Sequence, residues 1–169
     1  MAFKKTLTKL EIKLNPIGIV HTLATENEVR ERVLHKSLIE IYPEFEQGLE
    51  GLAGFSHIFV IGYFNNLRPE QKGPLKVRPK SLLRFGFKLE EIPLLGVFAL
   101  DSPTRPNPIG LSLVSLEKID GRNLTVSGLD YFDGTPVLDV KPYQPDYRVE
   151  GFTLPEWHTK FSTRTGGHI

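Results

Sequence analysis

Apolar residues in this chain come in short runs bounded by Pro, Gly, Asn and Asp, and few runs carry the spacing of an amphipathic helix. Asn15 to Thr22 (NPIGIVHT) opens on a turn signal and continues β-branched, which predicts a strand. Thr25-Glu26-Asn27-Glu28 has capping-box spacing and predicts a short polar helix or turn running through Arg32. A second strand is expected over Ser37 to Tyr42. Pro43 to Leu49 suits a short helix with proline in its first turn, and Phe55 to Phe64 (FSHIFVIGYF) a third, mostly buried strand. Pro69 to Lys80 reads as loop and Leu94 to Leu100 as a fourth strand. Leu111 to Ile119 and Asn123 to Leu129 flank Asp120-Gly121-Arg122, a hairpin signal because Asp-Gly supplies the positive φ of a tight turn. Pro136 to Val140 is a further strand.

Short strands separated by turns, with no regular alternation of strand and long helix, favour a mainly β fold: a small antiparallel closed β-barrel with short flanking helices and a C-terminal extension. The 169 residues, 40% hydrophobic and 24% charged, suffice for one such core. No apolar run approaches the roughly 20 residues that span a bilayer. The N-terminus lacks the apolar core and cleavage site of a leader, so a cytoplasmic protein without membrane contact is expected. With no cysteine there is no disulfide, thiol nucleophile or thiolate metal site. The tail beyond Gly151 carries Trp157-His158-Thr159-Lys160-Phe161 and ends Thr165-Gly166-Gly167-His168-Ile169. It either packs back on the body or faces a partner, because aromatics are poorly placed in water.

The most unusual stretch is Ser102 to Ser112 (SPTRPNPIGLS), in which Pro103, Pro106 and Pro108 fix φ and remove backbone donors. Such a run is a rigid, shaped loop, and loops on a rigid scaffold often carry binding. Arg105 offers a planar fork of donors and Asn107 an amide, suited to a substrate carboxylate or a base edge. Equally, both suit the carbonyls that the prolines leave unpaired. Asp130 and Asp133, beside Gly134, read either as acceptors for a ribose or an amine or as Asx-turn residues holding their loop. The net charge of +1 is uninformative, but Arg68 to Lys88 holds seven Lys and Arg, among them Lys76, Arg78 and Lys80, against the single acid Glu70. This segment is either a solvated loop or a track for a phosphate backbone. No glycine-rich phosphate loop follows a strand, which removes the common nucleotide folds. The five histidines lack metal-ligand spacing, so no metal site is expected, and His57 inside an apolar strand reads as a core or interface histidine rather than a base.

Three motifs carry a family resemblance: Gly96-Val97-Phe98-Ala99, Arg105-Pro106-Asn107-Pro108-Ile109-Gly110-Leu111-Ser112, and Asp133-Gly134-Thr135-Pro136-Val137-Leu138-Asp139 running into Lys141-Pro142-Tyr143. Pro16-Ile17-Gly18 and Phe55-Ser56-His57 support them. The chain resembles the TrmO family, also called YaeB or TsaA-like, over residues 15 to 147. That leaves residues 1–14 as a lead-in and 148–169 as a tail. The resemblance implies a small homodimeric β-barrel that binds S-adenosyl-L-methionine and methylates threonylcarbamoyl adenosine beside the tRNA anticodon. It implies cofactor contacts at Asn65 and Asn66, at Leu111, at Leu129, Asp130, Tyr131 and Asp133, and, with weaker alignment, at Arg30 and Glu31. Arg105, Asn107, Tyr143, Lys76, Arg78 and Lys80 are the candidates for touching the RNA. Relatives usually read Thr-Arg where this chain has Leu100-Asp101, with the arginine beside the cofactor, so the resemblance makes Asp101 a further cofactor-contact candidate; they carry a histidine where it has Asn65. The charge reversal at Asp101 keeps two alternatives open: a diverged paralogue acting on another RNA or a small molecule, and a non-catalytic cofactor-binding sensor.

Overall fold

The computed structural model describes residues 11–31 and 34–166. Six strands form a closed, wholly antiparallel barrel: β1 (Gly18–His21), β2 (Lys36–Ile41), β3 (His57–Tyr63), β6 (Ile109–Asp120), β7 (Asn123–Ser127) and β8 (Pro136–Pro142), in the order β1-β2-β7-β6-β3-β8 with β8 closing on β1. Closure leaves no free edge, the usual liability of a small sheet. Burial alternates along β2, β3 and β7, and the inward set, including Val20, Ile39, Ile58, Val60, Leu124 and Val137, fills the core. Two strands, β4 (Lys76–Val77) and β5 (Leu95–Gly96), pair outside the barrel.

The expected hairpin forms: β6 and β7 pair across a turn at Gly121, whose φ is +55°. The capping box forms as well. The Thr25 hydroxyl accepts from the Glu28 N–H and the Glu28 carboxylate accepts from the Thr25 N–H, which starts α1 (Glu26–Arg30). Arg32, the last residue expected there, lies outside the described residues, as do residues 1–10 and the terminal Gly167, His168 and Ile169. Pro43–Leu49 is a 3-10 helix.

One expectation needs correction. Leu94 to Leu100 is not one strand: pairing stops after Leu95–Gly96, and Val97–Ala99 makes a 3-10 turn. Val97 and Leu100 are buried while Phe98 and Ala99 are exposed, a spacing of three that suits the 3-10 period and not a strand's alternation. The tail holds a ten-residue helix, α2 (Glu156–Thr165). Its Phe161 is buried against Leu82 and Ile92 in a second small core, with Phe87 edge-on at 4.8 Å and Arg164 over the Phe87 ring at 4.9 Å.

Candidate functional site

One end of the barrel is built around a tyrosine ring. Gly62 of β3 and Gly110 of β6 are partners in register. A Cβ on Gly62 would stand 2.4 Å from Tyr131 Cε2, and one on Gly110 would stand 2.5 Å from Phe64 Cζ and 2.8 Å from the Tyr131 hydroxyl. The two glycines therefore open a notch that admits the Tyr131 ring, a close approach that glycine within a strand often marks. The register of β3 against β8 also shifts between Ile61 and Gly62, a bulge at the same place. Tyr131 is 1% exposed, its hydroxyl donates to the Val60 carbonyl at 2.9 Å, and Phe64 meets its ring edge-on at 5.4 Å. Burial raises the phenol's pKa well above its ordinary value; the Ser112 hydroxyl works the other way and the neighbouring Asp130 charge adds to the rise. Tyr131 therefore stays neutral and anchors the loop that carries it.

That loop gathers several of the sequence candidates. Leu129 is fully buried, and Ser112 of β6 donates to the Asp130 carboxylate. Asp133 Oδ1 accepts from the Thr22 N–H at 2.9 Å, a long-range tie to the end of β1 rather than an Asx turn within its own loop. Asp133 Oδ2 has no protein partner among the described residues, which leaves an acceptor for a ligand. Arg30, paired with Glu26 at 2.9 Å, stands over the Phe132 ring at 5.2 Å and so brings the end of α1 to the same loop. Asn65 and Asn66 leave β3 directly after Phe64, whose N–H donates to the Pro108 carbonyl at 2.8 Å. They emerge exposed beside the Tyr131 notch. Glu31 caps the C-terminus of α1 through its backbone and is exposed. Leu111 lies between Gly110 and Ser112 on the outer face of the barrel and is 66% exposed.

Other candidates lie elsewhere. Asp101 and Arg105 line a separate cleft of about 320 Å³ with Phe98, Leu100, Trp157 and His158, and no residue of the Tyr131 loop lines it. Arg105 Nη2 donates to the carbonyls of Val97 (3.4 Å) and Leu100 (3.3 Å), so it serves the backbone of the 3-10 turn that precedes the proline loop rather than the loop itself. Asn107 is exposed, and its carbonyl accepts from Ile109 at 2.7 Å. Tyr143 sits at the opposite end of β3, its N–H on the His57 carbonyl at 3.0 Å and its ring 5.8 Å from Phe59. In the basic segment Lys76 and Lys80 are exposed, while Arg78 turns its guanidinium onto the Ile92 carbonyl. His57 is not a core residue: it lies exposed on the outer face with Ser56 at 2.9 Å and Ser115 at 3.3 Å. Among the described residues no three His, Asp or Glu gather in a way that could hold a metal ion. Ser112, Phe64 and the paired glycines build the site without a local motif of their own, and a glycine inside the apolar run of Phe55 to Phe64 is the one signal for them in the sequence.

Residues 24–148 match the family described as the tRNA-methyltransferase O N-terminal domain. A probable S-adenosyl-L-methionine-binding protein of Pyrococcus abyssi is 37% identical over 158 residues, which cover 89% of this chain and 78% of that protein. A tRNA (adenine(37)-N6)-methyltransferase of Mus musculus is 43% identical over 107 residues, 63% of this chain and 23% of that protein. Among solved structures, a crystal structure of TrmO superposes with a TM-score of 0.63 at 30% identity, covering 87% of this chain and 64% of that one. The chain thus spans under two thirds of the solved relative and about a quarter of the mouse enzyme's length.

Proposed function

The chain belongs to the tRNA-methyltransferase O family, and on that premise we propose that it is an S-adenosyl-L-methionine-dependent methyltransferase whose acceptor is a tRNA adenosine, with threonylcarbamoyl adenosine beside the anticodon as the leading candidate. The observation that carries this reading is the convergence of Arg30, Asn65, Asn66 and Leu129 to Asp133 on the barrel end organised by Tyr131. The residues there fit the cofactor's chemistry. The carboxylates of Asp130 and Asp133 accept from ribose hydroxyls or an ammonium, and Phe132 offers a ring against which an adenine packs. The bound cofactor supplies an electrophilic methyl group on a sulfonium. Transfer is an in-line displacement, so the protein's work is to hold donor and acceptor within near-attack distance. The buried Tyr131, its proton committed to Val60, contributes rigidity and not base catalysis.

We place the enzyme in the cytoplasm, where its tRNA is found, and as a homodimer. The outer face beside the site supports the second copy: Phe59 faces Leu113, Ile61 faces Leu111 and Tyr63 faces Ile109 in register, and Tyr63, Leu111 and Leu113 are 41%, 66% and 46% exposed. A second subunit on this stripe would add a wall to the site beside Leu111. The alternative of a changed acceptor, or of a sensor, draws on Asp101, which stands where relatives carry a cation. Calorimetric titration with S-adenosyl-L-methionine, then incubation of methyl-labelled cofactor with tRNA carrying or lacking the threonylcarbamoyl group, tests the reading. Binding with label in the modified tRNA alone is expected. Binding without transfer favours another acceptor or a sensor, and no binding overturns the proposal.

A further inference from the structure

The cleft under α2 shares no lining residue with the Tyr131 loop and includes a helix that lies outside the 24–148 family match. We propose that it holds an unstacked, amino-bearing base of the RNA's single-stranded loop, a neighbour of the methyl acceptor rather than the acceptor itself. The inference rests on the RNA-methyltransferase reading above.

Four features point to a base. The volume of about 320 Å³ falls at the lower end of small-molecule sites. Phe98, 79% exposed, stands at the cleft with Trp157, whose ring lies 5.4 Å from that of His158. Aromatic rings and guanidinium planes such as that of Arg105 are the surfaces on which single-stranded bases stack. Asp101 is exposed and has no hydrogen bond or ion pair among the described residues. A carboxylate accepts from an exocyclic amine and repels phosphate, so it selects the edge of a base over the backbone. The backbone has its own partner close by. Lys76 pairs with Gly96 in register, and the Val97 N–H donates to the Leu75 carbonyl at 3.0 Å, which sets the exposed Lys76 beside the segment that walls the cleft. The far wall is fixed: α2 is held by buried Phe161 and by the contacts of Phe87, so Trp157 is presented by an anchored helix. A base seated here sets the register of the RNA loop across the enzyme.

Trp157 is the only tryptophan in the chain, so its fluorescence reports the cleft selectively. Titration with single-stranded oligoadenylate, oligouridylate and a duplex of matched length is expected to give saturable quenching, strongest with oligoadenylate and weakest with the duplex. Asp101→Ala, an exposed change that leaves α2 untouched, is expected to erase the preference for adenine over uracil. Trp157→Ala is expected to raise the apparent Kd for single-stranded RNA about tenfold, the lower part of what one lost stacking contact costs, with calorimetric affinity for S-adenosyl-L-methionine unchanged. Fluorescence unmoved at saturating oligonucleotide, or adenine preference intact in Asp101→Ala, overturns the proposal. Methyl transfer by the unaltered protein separates the two readings: transfer without quenching sinks the cleft alone, whereas quenching without transfer keeps the cleft as a base site and sinks the methyltransferase.

Discussion

Replacing Gly62 by alanine sets two effects of opposite sign against each other. Gly→Ala in an unstrained strand ordinarily stabilises by about 0.4–1 kcal/mol, because it narrows the unfolded ensemble. Here the new Cβ would lie 2.4 Å from Tyr131 Cε2 and 3.0 Å from Cδ2, and those are ring atoms with no flexible end to swing aside. Overpacking of this kind costs about 1–3 kcal/mol, and if the ring is pushed out the Val60 hydrogen bond, worth about 1 kcal/mol, and part of the ring's burial follow. The steric side wins, for a net loss of about 2–4 kcal/mol. At about 2–4 °C per kcal/mol for a chain of this size, the thermal midpoint drops by roughly 4–16 °C. The assay is thermal unfolding of Gly62→Ala in the native background and beside Tyr131→Ala, with cofactor affinity measured by calorimetry. In the Tyr131→Ala background the vacated space accepts the methyl group, and the substitution becomes neutral or mildly stabilising. A midpoint that holds or rises in the native background, or an equal penalty in both, refutes the notch.

Tyr131→Phe loses the bond to Val60 for about 1 kcal/mol at neutral pH. Because the folded phenol's pKa is raised, its stabilisation is complete below the unfolded value of about 10 and is lost as pH rises beyond it, so thermal scans above that pH are expected to show a decline that Tyr131→Phe lacks. Asp133→Ala removes one exposed acceptor from the Thr22 N–H and is expected to cost at most about 1.5 kcal/mol in folding while weakening cofactor affinity more, read by paired thermal and calorimetric titrations. Lys76→Ala and Lys80→Ala are expected to weaken RNA binding across sequences and to lower the salt slope by about one per lost phosphate contact, whereas Arg78→Ala, which releases the Ile92 carbonyl, shows first as a lower thermal midpoint. Leu111→Glu with Leu113→Glu is expected to convert a dimer to monomers in sedimentation velocity; an unchanged mass would clear that face of the role.

Much of the barrel was legible because its signals are local. Alternation along β2 and β3, and Asp-Gly between β6 and β7, each report a geometry within a few residues of themselves. The Tyr131 notch was not, because it joins residues far apart in the chain, Gly62, Gly110 and Tyr131, and no spacing rule records that a ring from one loop fills the gap left by two strand glycines. The family motifs named the loop from Leu129 to Asp133 without saying what holds it. Leu94 to Leu100 was read as a strand from its apolar content, and the spacing of buried Val97 and Leu100 decided otherwise. In the tail, Trp157, Phe161 and Thr165 recur every fourth residue between Pro155 and Gly166, whose φ is +64°, a helix pattern with both stops present.

The placement of Asp101 changes what its charge reversal means. Beside a desolvated cofactor, a swap from cation to anion would alter affinity by about a few kcal/mol and shift the cofactor's pose or the acceptor. In this fold the side chain lines the α2 cleft, which no residue of the Tyr131 loop lines, while Asp130 and Asp133 keep their own contacts with Ser112 and Thr22. On the proposal made above, its effect falls on the molecule that enters the cleft, where a carboxylate disfavours phosphate and favours an amino edge. Restoring the cation with Asp101→Arg separates the two meanings. If the reversal acts at the cofactor, affinity for S-adenosyl-L-methionine rises in the variant; if it acts at the cleft, that affinity stays level while the preference among RNA bases shifts from adenine toward guanine, whose edge offers the acceptors that an arginine reads.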